Sequence, residues 1–112
     1  MKIYHNPRCR KSRETLSLIE EKGIKPEVIE YLATPPSSSQ LKEIISMLGI
    51  KPLELIRKGE EIFKEKYRGK ELSDEEWVQA MVENPKLIER PIVVSDGKAI
   101  IGRPPEKVLD IL

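Results

Sequence analysis

The chain of 112 residues contains a single cysteine, Cys9, and a single histidine, His5. One cysteine excludes an internal disulfide, and with only one histidine beside it the chain lacks the ligands of a Cys- and His-rich zinc site. We therefore predict no structural metal. Cys9 is either an inert buried thiol or a reactive one, and its neighbours decide between these alternatives.

Long apolar runs and an excess of one charge are also missing. No stretch approaches the roughly 20 apolar residues of a membrane-spanning helix, and the N-terminus has no apolar segment of signal-peptide length. Lys and Arg number 20 against 19 Asp and Glu, whereas a general nucleic-acid binder needs a basic excess on one face. We predict one domain over residues 1–112, located in the cytoplasm, that binds neither membranes nor nucleic acid.

The first third of the sequence has a β-loop-α-β pattern. Lys2–Tyr4 is short and β-prone, and Asn6-Pro7 ends it because the residue before proline avoids helical geometry. A helix is predicted from about residue 9 or 11 to residue 22, with Gly23 as its stop signal. Val28–Leu32 is predicted to be the second strand.

The middle of the chain is predicted to be helical. Ser37 and Gln40 have capping-box spacing, and Leu41, Ile44, Ile45 and Leu48 follow at helical intervals before Gly49. Further helical segments are predicted at residues 52–56, 60–66 and 73–85. Trp77 and Met81, in the last of these, are expected in the core and not in a ligand site.

The last third returns to β structure. Ile92–Val94 and Ala99–Ile101 are β-branched runs separated by a turn containing Asp96-Gly97, which indicates a hairpin. Pro104-Pro105 is predicted to begin a terminal helix that carries Val108, Leu109 and Ile111. The fold class is therefore α/β, a small mixed sheet with a helical insert at about 37–88. We expect its first two strands to be parallel and its last two antiparallel.

Cys9 stands after a strand and a proline-containing loop, at the start of a helix. Unpaired amides and the positive end of the helix dipole favour a thiolate there, and cationic neighbours lower the thiol pKa further. Its cationic neighbours are Arg8, Arg10, Lys11 and Arg13. The same geometry binds oxyanions. The alternative is a partly buried, inert cysteine among solvated surface charges; the combined pattern favours the reactive thiol.

Two familiar thiol motifs are absent. Ser12 makes the motif C-x-x-S, which excludes a dithiol enzyme with an internal resolving cysteine. A phosphatase-type loop would need arginine six residues after Cys9, where Thr15 stands. Any adduct on Cys9 must therefore be resolved by a thiol from outside the chain.

Several blocks of the sequence together resemble one known family. The segment from Tyr4 to Arg13 is similar to the Y-H-N-P-x-C-x-x-S-R opening of the glutaredoxin-coupled arsenate reductases, an ArsC-like family. Further blocks in family order are Tyr31–Pro36, Leu55–Lys58, Ile88–Val94 and Gly102–Pro104. The resemblance covers essentially the whole chain.

This resemblance implies a thioredoxin-like fold, with a mixed four-stranded sheet and a cis Arg90–Pro91 bond. It implies an oxidoreductase whose Cys9 thiolate attacks arsenate, with glutathione as co-substrate, glutaredoxin as the protein reductant and no bound cofactor. By the same resemblance, Arg57, Arg90 and Arg103 bind the oxyanion, and His5 tunes or orients the thiolate. Arginine suits this task because its paired donors stay charged.

Each of these residues has an ordinary alternative. Any of the three arginines can be a solvated surface charge. This alternative is strongest for Arg57, which adjoins Lys58 on an amphipathic segment. His5 can equally be a hydrogen-bonded structural histidine.

Two other functions remain open at this stage. One is a related monothiol enzyme that transfers glutathione; the other is a regulatory adaptor of the same fold that binds the transcription machinery. Arg10-Lys11 departs from the small residues usual in the reductases at these two positions. Retention of the three arginines favours arsenate reduction over thiol transfer, and Ser12 argues against a C-x-x-C redox adaptor.

Overall fold

Four strands form one mixed sheet in the computed structural model, which describes all 112 residues of the chain. The strands are β1 (Lys2–His5), β2 (Glu27–Glu30), β3 (Ile92–Ser95) and β4 (Lys98–Ile101). Their order across the sheet is β2-β1-β3-β4. They belong to a unit of residues 1–34 and 90–112, while residues 35–89 form a second unit. The prediction that the whole chain is one domain stays a prediction.

The strand directions follow the sequence pattern. β1 and β2 are parallel and joined through helix α1 (Arg10–Glu21), whereas β3 and β4 are antiparallel neighbours. β1 also pairs antiparallel with β3, so the two ends of the chain meet in the middle of the sheet. This mixed four-stranded sheet with its helices is the predicted thioredoxin-like arrangement.

The core of this unit joins the sheet to α1 and to the C-terminal segment. Ile3 and Val93, which are register partners, are fully buried together with Ile19 of α1 and Val108. Each of these four side chains has a relative exposure of 0%. Their burial fixes α1, and therefore its N-terminus at Cys9, against the sheet.

The turn between β3 and β4 is the hairpin that Asp96-Gly97 predicts. Ser95 pairs with Lys98, which leaves a loop of Asp96 and Gly97 with φ of 49° and 74°. Positive φ at both positions is the type I′ geometry, whose twist matches that of the flanking strands. Because the hairpin is tight, the segments before β3 and after β4 lie at the same end of the sheet.

Two predicted elements differ from the structure. The second strand ends at Glu30 and not at Leu32, because its last parallel partner is His5, where β1 itself ends. The terminal helix, Pro105–Ile111, is a 3₁₀ helix. With about three residues per turn, Pro105, Val108 and Ile111 share one face. Leu109 is left 42% exposed and is not a core residue.

The second unit is helical, as predicted. Its helices are α2 (Ser38–Leu48), α3 (Glu61–Lys66), α4 (Asp74–Glu83) and the 3₁₀ helices Pro52–Leu55 and Pro85–Leu87. Gly49 ends α2 in the left-handed region with φ of 68°. Trp77 and Met81 of α4 are buried, which confirms them as core residues. The indole of Trp77 packs against Phe63 and Tyr67, with ring centroids 6.1 Å and 6.0 Å away.

Replacing Ser37 by alanine should destabilise the helical unit. The Ser37 hydroxyl accepts the Gln40 amide hydrogen bond at 3.1 Å, and the Gln40 side chain accepts that of Ser37 at 2.9 Å. Loss of such a cap costs about 1 kcal/mol of unfolding free energy, measurable by chemical denaturation. Ser39→Ala, a change at an exposed position of the same helix turn, is the control. Equal unfolding free energies for the two variants would contradict this assignment of the cap.

No helix of the structure is both long and apolar enough to cross a membrane. No group of three or more His, Cys, Asp or Glu side chains is placed to hold a metal ion.

Candidate active site

Cys9 is the N-cap residue of α1. Its backbone is extended, with φ of −93° and ψ of 122°, and the helix begins at Arg10. The Cys9 N–H donates to the Asn6 carbonyl at 3.0 Å, and the Cys9 carbonyl accepts the first helical hydrogen bond, from Arg13, also at 3.0 Å. The Asn6 side chain accepts from the Arg8 N–H at 3.0 Å. These bonds fix the loop so that the thiol lies at the helix N-terminus, partly exposed to solvent.

The environment of Cys9 favours its thiolate. Burial acts to raise the pKa of the thiol, but the Ser12 amide, the side chain and charge of Arg90, and the Lys11 amide together outweigh burial. The pKa of Cys9 is consequently lowered. Donors from the first helical turn and a guanidinium from a distant segment thus act on the same sulfur atom.

His5 reaches the helix through Ser12. Its Nδ1 lies 2.6 Å from the Ser12 Oγ, which also accepts the Asn6 N–H at 3.0 Å. His5 is only 6% exposed, and burial lowers the pKa of its imidazole; the charge of Arg13 adds to this effect, while Glu30 opposes it. The ring is therefore neutral at neutral pH, and it orients the residue whose amide faces the Cys9 sulfur.

Arg90 and Arg103 come to Cys9 from either side of the β3–β4 hairpin. The Arg103 Nη1 donates to the Arg90 carbonyl at 3.1 Å and lies 3.9 Å from the Cys9 Sγ. Arg90 precedes a cis bond to Pro91, as predicted, and a second cis bond joins Arg103 to Pro104. The structure thus brings together four of the five predicted site residues, all from the unit that contains the sheet.

Arg57 belongs to the helical unit and is held there by its own partners. Its Nε lies 3.5 Å from Glu60 Oε1 and its Nη1 lies 3.4 Å from Glu89 Oε1. Its backbone N–H donates to the Leu87 carbonyl at 2.7 Å. With a side-chain exposure of 25%, Arg57 is not a fully solvated surface charge.

The basic residues beside Cys9 are exposed. Arg10 forms a 2.9 Å ion pair with Glu14, one turn further along the helix, and Arg13 donates to the Pro7 carbonyl at 3.0 Å. Lys11 has an exposed side chain, while its amide contributes to the low pKa of Cys9. The two unusual cations after Cys9 therefore lie on the solvent side of the helix.

Ser12 is the site residue that sequence reasoning missed. The C-x-x-S motif was informative only as the absence of a second thiol, yet Ser12 is fully buried and connects Asn6, His5 and the Cys9 sulfur. The available signal was its spacing, since a residue three positions after an N-cap directs its amide to the cap.

Alkylation of Cys9 should follow a lowered thiol pKa. Because the folded environment lowers the pKa of Cys9, the rate of alkylation by iodoacetamide should rise with pH around a lower midpoint than that of an ordinary cysteine. The same thiol in guanidinium chloride is the control, and its midpoint should be higher. Equal midpoints in the folded and unfolded protein would contradict the predicted activation.

The cluster of Cys9, Arg90 and Arg103 is suited to nucleophilic attack on an oxyanion. A partly exposed thiolate is a nucleophile, and two guanidinium groups within the same cluster can bind and stabilise an oxyanion as it reacts. The side chains provide no second thiol, so the cluster is suited to forming an adduct that another molecule resolves.

Comparison with known proteins agrees with this geometry. The ArsC family model matches residues 4–111. A solved arsenate reductase from Vibrio cholerae is 54% identical with a TM-score of 0.96, covering 99% of this chain and 96% of its own. An arsenate reductase of Neisseria meningitidis is 44% identical over 100% of this chain and 97% of its own length. YfgD of Escherichia coli, named as an uncharacterized protein, is 54% identical over 100% of this chain and 96% of its own. The chain belongs to the ArsC family.

Proposed function

We propose that this protein is an arsenate reductase in which the Cys9 thiolate is the nucleophile. The observation that carries the proposal is the convergence of Arg90 and Arg103 on a thiol whose pKa is lowered. The similarity to proteins named as arsenate reductases, over nearly full length, supports arsenate as the oxyanion.

In the first proposed step, the Cys9 Sγ forms a bond to arsenic. The bond from arsenic to the hydroxyl group of the arsenate dianion breaks, and the departing hydroxide takes up one proton from solvent and leaves as water. Arsenic remains pentavalent in the resulting adduct, in which the Cys9 sulfur is bonded to arsenic. The guanidinium groups of Arg90 and Arg103 stabilise the negative oxygens, whose charge increases as the new bond forms.

In the second step, a glutathione thiolate attacks the Cys9 sulfur. The electron pair of the sulfur–arsenic bond passes to arsenic, which leaves as trivalent arsenite, and a disulfide forms between Cys9 and glutathione. Glutaredoxin then attacks the glutathione sulfur and restores the Cys9 thiolate. The chain has no other cysteine to take either role.

His5 and Arg57 have supporting roles in this proposal. His5 acts through Ser12, whose amide stabilises the thiolate, and is therefore a positioning residue. The family resemblance assigns Arg57 to the oxyanion, and Arg57→Ala should accordingly raise the KM for arsenate more than it lowers kcat.

A coupled assay tests the function. Reduced protein is incubated with arsenate, glutathione, glutaredoxin, glutathione reductase and NADPH, and NADPH loss is compared with reactions lacking arsenate or glutathione. We expect oxidation that needs both, and a glutathione adduct on Cys9 detectable by mass spectrometry when glutaredoxin is omitted. A reactive thiol without any arsenate-dependent rate would contradict arsenate reduction.

The alternatives give different results. With glutaredoxin omitted, a thiol-transfer enzyme would support NADPH consumption with glutathione, glutathione reductase and a glutathionylated peptide, without arsenate. An adaptor would bind its partner equally well after Cys9→Ala.

A further inference from the structure

Gly102 lies against Thr15 at a separation that leaves no room for a side chain. A Cβ on Gly102 would lie 2.5 Å from the Thr15 Oγ1, 3.0 Å from its Cγ2 and 3.0 Å from the Pro91 Cγ. The Gly102 N–H donates to the Pro91 carbonyl at 2.9 Å, and Gly102 is buried. Gly102 is therefore enclosed by α1 on one side and by the segment before β3 on the other.

Thr15 is a small residue on the packed face of α1. The residues of α1 that are fully buried are Ser12, Thr15 and Ile19, so the half of this face nearest Cys9 carries hydroxyl residues and not large apolar ones. The Thr15 Oγ1 donates to the Lys11 carbonyl at 2.8 Å and lies 3.4 Å from the Gly102 carbonyl. Its rotamer is thereby fixed, with its side chain directed at Gly102.

This contact sets the distance between the nucleophile and one of its arginines. Thr15 is six residues after Cys9, about 9 Å along the helix axis, and Arg103 follows Gly102 directly. From there the Arg103 Nη1 reaches back to 3.9 Å from the Cys9 Sγ. We infer that Thr15 and Gly102 are positioning residues, whose close contact holds the Arg103 guanidinium at the thiolate.

This inference rests on the proposed function only where it is tested by arsenate-dependent kinetics. A methyl group at Gly102 must push Thr15 or Pro91 away, and a shift of about 1 Å in a catalytic group can cost on the order of 100-fold in rate. For Gly102→Ala we expect arsenate-dependent kcat/KM to fall about 10- to 100-fold, with a lower kcat as well as a higher KM. Gly59→Ala is the matched control, since nothing lies within 4 Å of a Cβ at Gly59.

A second substitution that restores activity to Gly102→Ala would distinguish a positioning role from a general loss of structure. Thr15→Ala removes two of the three atoms nearest to the new methyl, the Thr15 Oγ1 and Cγ2, and keeps the third, the Pro91 Cγ at 3.0 Å. The double variant Thr15→Ala/Gly102→Ala should therefore recover at least about tenfold of the activity that Gly102→Ala loses. Thermal unfolding is measured for every variant. If Gly102→Ala alone does not fold, the double variant still tests the inference, because it should fold and retain activity.

A double-mutant cycle with Arg103 identifies the group that moves. If Thr15 and Gly102 act through Arg103, whose Nη1 lies 3.9 Å from the Cys9 Sγ, Gly102→Ala should raise the alkylation midpoint of Cys9 and should add little in an Arg103→Ala background. This readout needs no arsenate. If the unchanged protein does not reduce arsenate but the alkylation midpoints of the variants behave as predicted, the proposed function is overturned and the positioning inference stands.

Three results would overturn the positioning inference. They are an unchanged midpoint and kcat/KM in folded Gly102→Ala, a double variant no better than Gly102→Ala, and effects of Gly102→Ala and Arg103→Ala that simply add.

Discussion

Replacing Cys9 by serine is expected to reduce arsenate-dependent turnover to the background rate, a loss on the order of 10³-fold or more. The substitution keeps the side chain's size and its place at the N-cap. A serine hydroxyl, however, does not ionise at neutral pH, and the amides and guanidinium groups that favour a thiolate cannot make an alkoxide available. The coupled NADPH assay measures the loss directly.

The Cys9→Ser variant must be shown to keep the fold of the unchanged protein. Cys9 is only partly buried, so circular dichroism and thermal unfolding should match those of the unchanged protein. The variant should also form no glutathione adduct. A folded Cys9→Ser variant that keeps more than about a tenth of the turnover would show that the thiol is not the nucleophile.

Arg90→Ala should cause the second largest loss, about 100-fold or more in kcat/KM for arsenate. Arg90 is proposed to act twice, since its side chain and charge lower the pKa of Cys9 and its guanidinium binds the oxyanion. Removing it should therefore raise the alkylation midpoint, so that a smaller fraction of the thiol is ionised at neutral pH. The pH profile of alkylation and the kinetics measure the two roles separately.

Arg90→Lys and Arg68→Ala are the informative comparisons. Lysine keeps the charge but not the paired donors, so its midpoint should lie between those of Arg90→Ala and the unchanged protein while arsenate kcat/KM falls. Arg68 is exposed in the helical unit, and Arg68→Ala controls for the loss of one positive charge. Arg90→Ala and Arg68→Ala variants with the same kinetics would refute a specific role for Arg90.

Local signals were sufficient where neighbouring residues determine the structure. Ser37 with Gln40 predicted the start of α2, and Asp96-Gly97 predicted the hairpin, because caps and tight turns involve only a few consecutive residues. The same signals did not distinguish an α-helix from a 3₁₀ helix at the C-terminus. That choice depends on how Val108 packs against Ile3 and Ile19, far away in sequence.

Local sequence patterns likewise identified some residues of the candidate site and not others. Cys9 could be found from the strand, proline loop and helix start around it. No local pattern could distinguish Arg90 and Arg103 from the other Lys and Arg residues, and they were selected by family resemblance alone. The contact of Thr15 with Gly102 gave no recognised signal, since these two residues lie 87 positions apart in the sequence.

By itself the sequence determined the elements, their approximate ends and the position of the thiol at a helix N-terminus, because these follow from short-range sterics and hydrogen bonds. Only the tertiary structure decided which charges meet that thiol. The antiparallel pairing of β1 with β3 places Arg90 at Cys9, and the lack of a side chain at Gly102 lets Arg103 approach from a segment 94 residues away. Such contacts depend on the packing of the whole sheet unit, since it is burial of the common core that offsets the entropy of closing so long a loop.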